Sequence, residues 1–89
     1  MTAWQVVIDP RAAREIRKLG SQDRRRVMRF LEERVARASD PRRSGHPLTG
    51  DLAGLWSYRV GDVRLIARID DEAVTVLVLQ AGNRREIYR

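Results

Sequence analysis

Leu55-Trp56-Ser57-Tyr58-Arg59-Val60-Gly61-Asp62-Val63-Arg64-Leu65-Ile66-Ala67-Arg68 is the stretch that decides the fold. Two strand-like runs rich in β-branched and aromatic residues flank the dipeptide Gly61-Asp62, the sequence signature of a tight two-residue hairpin. If Val60 pairs with Val63, Arg59 lies directly opposite Arg64. Cross-strand partners point to the same face, so two guanidiniums stand side by side. Like charges in that position destabilise a sheet. A pair that breaks a local rule is where function is expected, and a bound polyanion is the simplest compensation.

Working outward, the strands are expected at about 54–60, 63–69 and 73–80, with Asp70 to Ala73 as the second turn. Short connections make this an antiparallel meander. Trp56, Tyr58, Val60, Val63, Leu65, Ala67, Val74, Val76 and Val78 fall on one apolar face. Ser57, Arg59, Arg64, Ile66, Arg68, Thr75 and Leu77 fall on the other, which is mixed, basic and expected to be open. Upstream, Trp4 to Ile8 reads as a first strand. Asp9-Pro10 then fits a helix start, with Asp as N-cap and Pro at the first helical position. Ala12, Ala13, Ile16 and Leu19 recur at helical spacing, and Gly20 suits the stop. Ser21 is the candidate cap of a second helix that would bury Val27, Met28, Leu31, Val35 and Ala38. Its outer face carries Arg24, Arg25, Arg29, Glu32, Glu33, Arg34 and Arg37. Asp40 to Asp51, with its prolines, glycines and Ser44, reads as a loop. The expected class is α+β: an N-terminal strand, a helical hairpin, then a three-to-four-stranded antiparallel sheet, all within a single domain over residues 1–89.

Composition narrows the function. The 89 residues suffice for one modest core. With no cysteine and one histidine, neither a disulfide nor a zinc site is expected, and the residues call for no cofactor or other metal. No apolar run approaches the roughly 20 residues of a membrane span. Asp9 and Arg11 interrupt the N-terminal apolar stretch too early for a signal peptide, so a cytoplasmic protein is expected. The formal charge is +6 and the pI about 11.2. Of the 18 basic residues only Lys18 is not arginine. That balance favours nucleic acid or an acidic protein partner.

Past the meander, Gly82 turns the chain and Arg84, Arg85 and Tyr88 follow. If this tail folds along the sheet, Arg84 and Tyr88 join Arg59 and Arg64. Arginine suits phosphate because its planar fork bonds two oxygens at once. Each residue also has a plain structural reading. Arg59 and Arg64 could be paired with Asp51 or Asp62, Arg84 and Arg85 could be a solvated tail, and Tyr88 could anchor the C-terminus. His46 reads as a loop residue with no acid–base partner, and Trp56 and Tyr58 read as core.

Tyr58-Arg59-Val60-Gly61-Asp62-Val63-Arg64, together with Gly50-Asp51-Leu52 and the ending Gly82-Asn83-Arg84-Arg85-Glu86-Ile87-Tyr88, resembles the RelE/ParE toxin superfamily, and the RelE branch of type II toxin–antitoxin modules most. The resemblance spans nearly the whole chain. It implies a metal-independent, ribosome-dependent endoribonuclease that cuts mRNA in the A site and inhibits translation. By position it assigns Arg59 and Arg64 to the basic catalytic surface. Arg84 would stabilise phosphate and leaving group, and Tyr88 would activate the nucleophile. Arg59, Arg64, Arg68 and Arg85 would hold RNA. The implied partners are mRNA on the ribosome, rRNA and a small acidic antitoxin of RelB or Phd type. Ser57 stands where the best-known member has lysine and Asn83 where many relatives have histidine, which removes two proton-transfer groups. The ParE branch, which poisons DNA gyrase without cutting RNA, is the alternative.

Overall fold

The computed structural model describes residues 3–83. Five strands form one sheet: β1 (Gln5–Ile8), β2 (Gly45–Pro47), β3 (Trp56–Val60), β4 (Val63–Asp70) and β5 (Thr75–Asn83). Their order across the sheet is β1-β5-β4-β3-β2, antiparallel throughout except for β1, which runs parallel to β5. Helices α1 (Pro10–Arg17) and α2 (Ser21–Phe30) follow β1 and cover one face.

The start of α1 is as its sequence dictates. The Asp9 carboxylate accepts the Arg11 backbone N–H at 3.0 Å and Pro10 opens the first turn. The end is not as expected. The helix closes at Arg17, and Gly20 is no left-handed stop; with φ −61° and ψ 154° it is the extended N-cap of α2. Ser21 is therefore the first residue of α2 rather than its cap. Beyond Phe30 the helix widens into a π-helical turn, Leu31–Ala36. Val27, Leu31 and Val35 are all buried. At an α-helical pitch residues four apart drift about 40° around the axis at each step. The wider turn cancels part of that drift and keeps Val35 inside. Met28, expected in the core, is 47% exposed, and Ala38 is only half-buried.

The covered face is the one the alternation selects. Ala12 and Ile16 of α1, Val27 of α2 and Leu31 and Val35 of the π-helical turn pack on Tyr58, Val60, Val63, Leu65, Ala67, Val76, Val78 and Ala81. Each fully buried aliphatic side chain contributes about 1.5–3 kcal/mol from apolar area removed from water. Trp56 is half-buried instead, with the Arg42 guanidinium 5.7 Å from its ring centre. Arg42 also forks onto Asp71, at 3.1 and 2.6 Å, and so ties the segment before β2 to the β4–β5 turn.

Three features depart from the expected sheet. The segment Asp40 to Asp51 is not all loop: Gly45–Pro47 adds a short edge strand, with Gly45 opposite Tyr58, His46 opposite Ser57 and Pro47 opposite Trp56. A side chain at position 45 would put its Cβ 3.0 Å from Tyr58 Cε1 and 3.1 Å from the Ser57 carbonyl, so any larger residue would have to push β2 and the Tyr58 ring apart by a few tenths of an ångström. Pro47, which lacks an N–H donor, sits where an edge strand tolerates it. Second, β5 starts at Thr75 and runs to Asn83. Val74 belongs to the preceding turn, with φ 48°, not to the covered face of a strand. Third, Ile66 pairs with Gln80 but Ala67 with Val78, so Leu79 is the extra residue of a β-bulge. The bulge resets the alternation, which lets Ala81 and Val78 both face the helices.

Candidate functional site

The hairpin register is the one that brings the arginines together. Val60 pairs with Val63 and Arg59 with Arg64, and Gly61, at φ 61°, supplies the positive φ that a tight two-residue turn needs. The next position across the sheet is Gly82, opposite Arg64. Glycine at that position adds no side chain beside Arg64. Arg59 is exposed and Arg64 half-buried. Among the described residues Arg59 forms no ion pair; Asp51 and Asp62, its potential partners in the plain reading, are not engaged with it. Arg68 is exposed two positions further along the same face of β4.

This face is not uniformly open. Ser57 is 4% and Ile66 1% exposed, so the middle of the face is closed and the arginines stand at its rim. Ser57 is thus a buried hydroxyl, not an exposed polar group. Arg84, Arg85 and Tyr88 lie outside the described residues. What precedes them is fixed. Asn83 is registered opposite Val63, next to the Arg64–Gly82 pair.

Two residues that the sequence reading set aside or passed over belong here. His46 is exposed on β2 and opposite Ser57. Since cross-strand partners share a face, its imidazole is on the arginine face, not in a loop. The signal was present in the Gly-His-Pro alternation but was outweighed by the surrounding turn residues. Glu15 on α1 is the other. Its Oε1 accepts the Ala81 backbone N–H at 3.0 Å. The chain of β1 leaves the sheet after Ile8, whose partner is Val78, so among the described residues no strand flanks β5 on that side beyond that point. The carboxylate takes the place of a neighbouring strand there and pins β5 beside Arg64.

The other tyrosine is excluded from chemistry. Tyr58 is fully buried, its hydroxyl donates to the Pro41 carbonyl at 2.9 Å, and its ring meets Phe30 edge-on at 5.7 Å. Burial pushes its pKa up to about 12, outweighing the opposing pull of Arg42. A phenol so raised is no base near neutrality. Among the described residues no group of three or more His, Asp or Glu side chains is placed to hold a metal ion, and no helix is long and apolar enough to cross a membrane.

Residues 6–88 match the family model of the ParE toxin of type II toxin-antitoxin system, parDE. The chain belongs to the RelE/ParE superfamily of type II toxins. Within that superfamily its relatives carry RelE-type names. It is 41% identical over 78 residues to Toxin RelG of Mycobacterium tuberculosis, covering 88% of this chain and 87% of the relative. It is 33% identical over 86 residues to Toxin RelE of the same organism, covering 97% and 87%. In three dimensions it is similar to a chain of the toxin-antitoxin complex RelBE2 from M. tuberculosis, with a TM-score of 0.86, 37% identity and 94% of each chain covered. It is also similar to a chain of the intact E. coli RelBE toxin-antitoxin complex, with a TM-score of 0.71, 25% identity and 91% and 96% covered. The chain is a toxin of the RelE family, and its basic hairpin is part of the RelE/ParE fold.

Proposed function

We propose that this toxin is an endoribonuclease that cuts mRNA on the ribosome, in the A site, and so arrests translation. The observation that carries the reading is the Arg59–Arg64 pair: two guanidiniums in cross-strand register on one face, with Arg59 exposed and without a carboxylate among the described residues. A folded chain bears that repulsion at small cost when a phosphodiester neutralises it in use.

The chemistry asked of the site is modest. The ribose 2′-hydroxyl attacks the adjacent phosphorus, the bond to the 5′-oxygen breaks, and a 2′,3′-cyclic phosphate and a 5′-hydroxyl end result. Arg59 and Arg64 stabilise the extra charge on the phosphoryl oxygens, often the largest catalytic contribution. Arg84 assists them and Tyr88 activates the nucleophile. Arg68 and Arg85 hold the flanking message, as phosphate contacts fix register. The ribosome supplies orientation, with rRNA as the docking partner. A small acidic antitoxin of RelB or Phd type neutralises the toxin by covering the basic face.

The test is a cell-free translation reaction, its message read by primer extension, run with wild type, Arg59→Ala, Arg84→Ala and Tyr88→Phe, and with naked RNA. Codon-phased cuts that require ribosomes and fade in the variants support the reading. An intact message refutes it. The ParE-named family model supports one second reading, inhibition of DNA gyrase without RNA cleavage. It predicts loss of supercoiling with the same preparation.

A further inference from the structure

The proposed reaction leaves one proton unassigned. The departing 5′-oxygen must be protonated, and guanidiniums are poor donors because their pKa exceeds roughly 12. Two positions where an exposed lysine or histidine would have served hold Ser57 and Asn83. Ser57 is buried at 4% exposure, and neither an aliphatic hydroxyl nor a carboxamide donates a proton readily. Tyr58 is on the opposite face. Among the described residues of the arginine face, the titratable groups are Arg59, Arg64, Arg68, His46 and Asp70, the last at the far end of β4, where its carboxylate accepts the Ala73 backbone N–H at 3.2 Å.

The register places that histidine. His46 is opposite Ser57, and Ser57 precedes Arg59 by two along the same strand. His46 and Arg59 are therefore diagonal neighbours across β2 and β3, with Cα atoms about 7–8 Å apart and side chains on one face. Both are exposed, and among the described residues His46 makes no ion pair. That placement would let one phosphodiester contact both side chains. An imidazole can also release a proton and take it back, which a guanidinium does poorly. The local build fixes it further. Gly45 closes onto Tyr58 and Pro47 follows immediately, so the backbone on either side of the imidazole is held by the sheet.

We propose that His46 is the general acid of the cleavage reaction, an inference that rests on the endoribonuclease reading. In the step, the 2′-oxygen forms its bond to phosphorus as the phosphorus–5′-oxygen bond breaks. The 2′-hydroxyl proton passes to the base, assigned to Tyr88. The imidazolium N–H of His46 passes its proton to the departing 5′-oxygen and the ring is left neutral. Exchange with solvent then takes the proton from Tyr88 and returns one to His46. No oxidant, reductant or co-substrate is needed.

The experiment uses the whole toxin on programmed ribosomes. Single-turnover cleavage is measured from pH 5 to 8 with wild type, His46→Ala and His46→Gln. Two short messages are compared: an ordinary one, and one carrying a sulfur in place of the 5′-bridging oxygen at the A-site codon. Thiolate leaves without a proton, so it bypasses an acid. The expected result is a loss of about 10²-fold or more for both variants on the ordinary message. The pH dependence of the rate across that range should also differ between the variants and wild type. On the sulfur-bridged message the variants should return to within a few-fold of wild type, and added imidazole should partly rescue His46→Ala. Melting temperatures should change little, since the side chain is exposed. Full activity of His46→Ala on the ordinary message overturns the proposal. So does equal slowness on both messages, which would make His46 a binding residue. A wild type that cuts neither message refutes the endoribonuclease reading itself, and that outcome is distinct from the other two.

Discussion

Tyr58→Phe has two effects of opposite sign whose balance shifts with pH. The substitution keeps the ring, and with it the edge contact to Phe30 at 5.7 Å. It removes the hydroxyl that donates to the Pro41 carbonyl at 2.9 Å, in a part of the core closed to water. An orphaned buried acceptor costs about 1–2 kcal/mol. For a domain of this size that lowers the melting temperature at neutral pH by roughly 5–10 °C. The alkaline behaviour runs the other way. Burial holds the Tyr58 pKa at about 12, against about 10 in the unfolded chain. The fold therefore favours the neutral phenol. This costs nothing below pH 10, and wild-type stability declines as pH rises through that value toward 12. A two-unit separation amounts to about 1.4 kcal/mol at pH 11 and at most about 2.7 kcal/mol beyond 12. Phenylalanine has nothing to ionise. The two stability curves should converge near pH 11, and other titrating groups cancel in the difference. The assay is urea denaturation of both proteins followed by far-UV circular dichroism at pH 7, 9, 10 and 11. Parallel curves across that range would refute the argument that the hydroxyl is buried and bonded in the native state.

Two further perturbations probe the framework. At Val74, a β-branched residue at φ 48°, the usual order of glycine and alanine should invert. Val74→Gly should melt higher than Val74→Ala by the equivalent of about 1 kcal/mol, because only glycine is free of the left-handed penalty. The opposite order would mean the turn relaxes to negative φ in solution. At Glu15, Glu15→Ala should destabilise by about 1–3 kcal/mol and raise amide exchange at Ala81, whose N–H loses its acceptor. Glu15→Gln retains a carbonyl oxygen and should recover most of the protection. Unchanged exchange at Ala81 in Glu15→Ala would show that the contact does not persist.

How much of this was legible in the sequence follows from the range of the interactions involved. The β3–β4 hairpin is local: alternation sets each face and Gly61-Asp62 sets the register, so the Arg59–Arg64 pairing could be read and the register bears it out. The start of α1 is equally local, since Asp9 and Pro10 act within one turn. What escaped depends on partners distant in the chain. The strand β2 has three residues, two of them glycine and proline, and its composition reads as turn. Only its docking on Tyr58, Ser57 and Trp56 makes it a strand. The bulge at Leu79 leaves no mark on a run of apolar residues, although it decides which of Gln80 and Ala81 faces the helices. The Glu15–Ala81 bond spans 66 residues, and nothing near either residue announces it. The placement of Arg84, Arg85 and Tyr88 lies outside the described residues.

The same two departures shape the site. Because the chain of β1 turns away into α1 after Ile8, β5 reaches Gly82 and Asn83 without a strand on that side among the described residues. Because β2 is short and ends in proline, the opposite edge presents a single exposed polar side chain, His46, to the basic face. The basic face thus carries Arg59 and Arg64 beside the turn between β3 and β4 and Arg68 further along β4, while the helices bury the other face. A polyanion entering beside that turn meets Arg59 first, since Arg64 is half-buried behind it. The stability spent on facing two guanidiniums, of order 0.2–1 kcal/mol for such a pair, is small beside what the core contributes. The fold can therefore keep the pair permanently set for a phosphate rather than assemble it on binding.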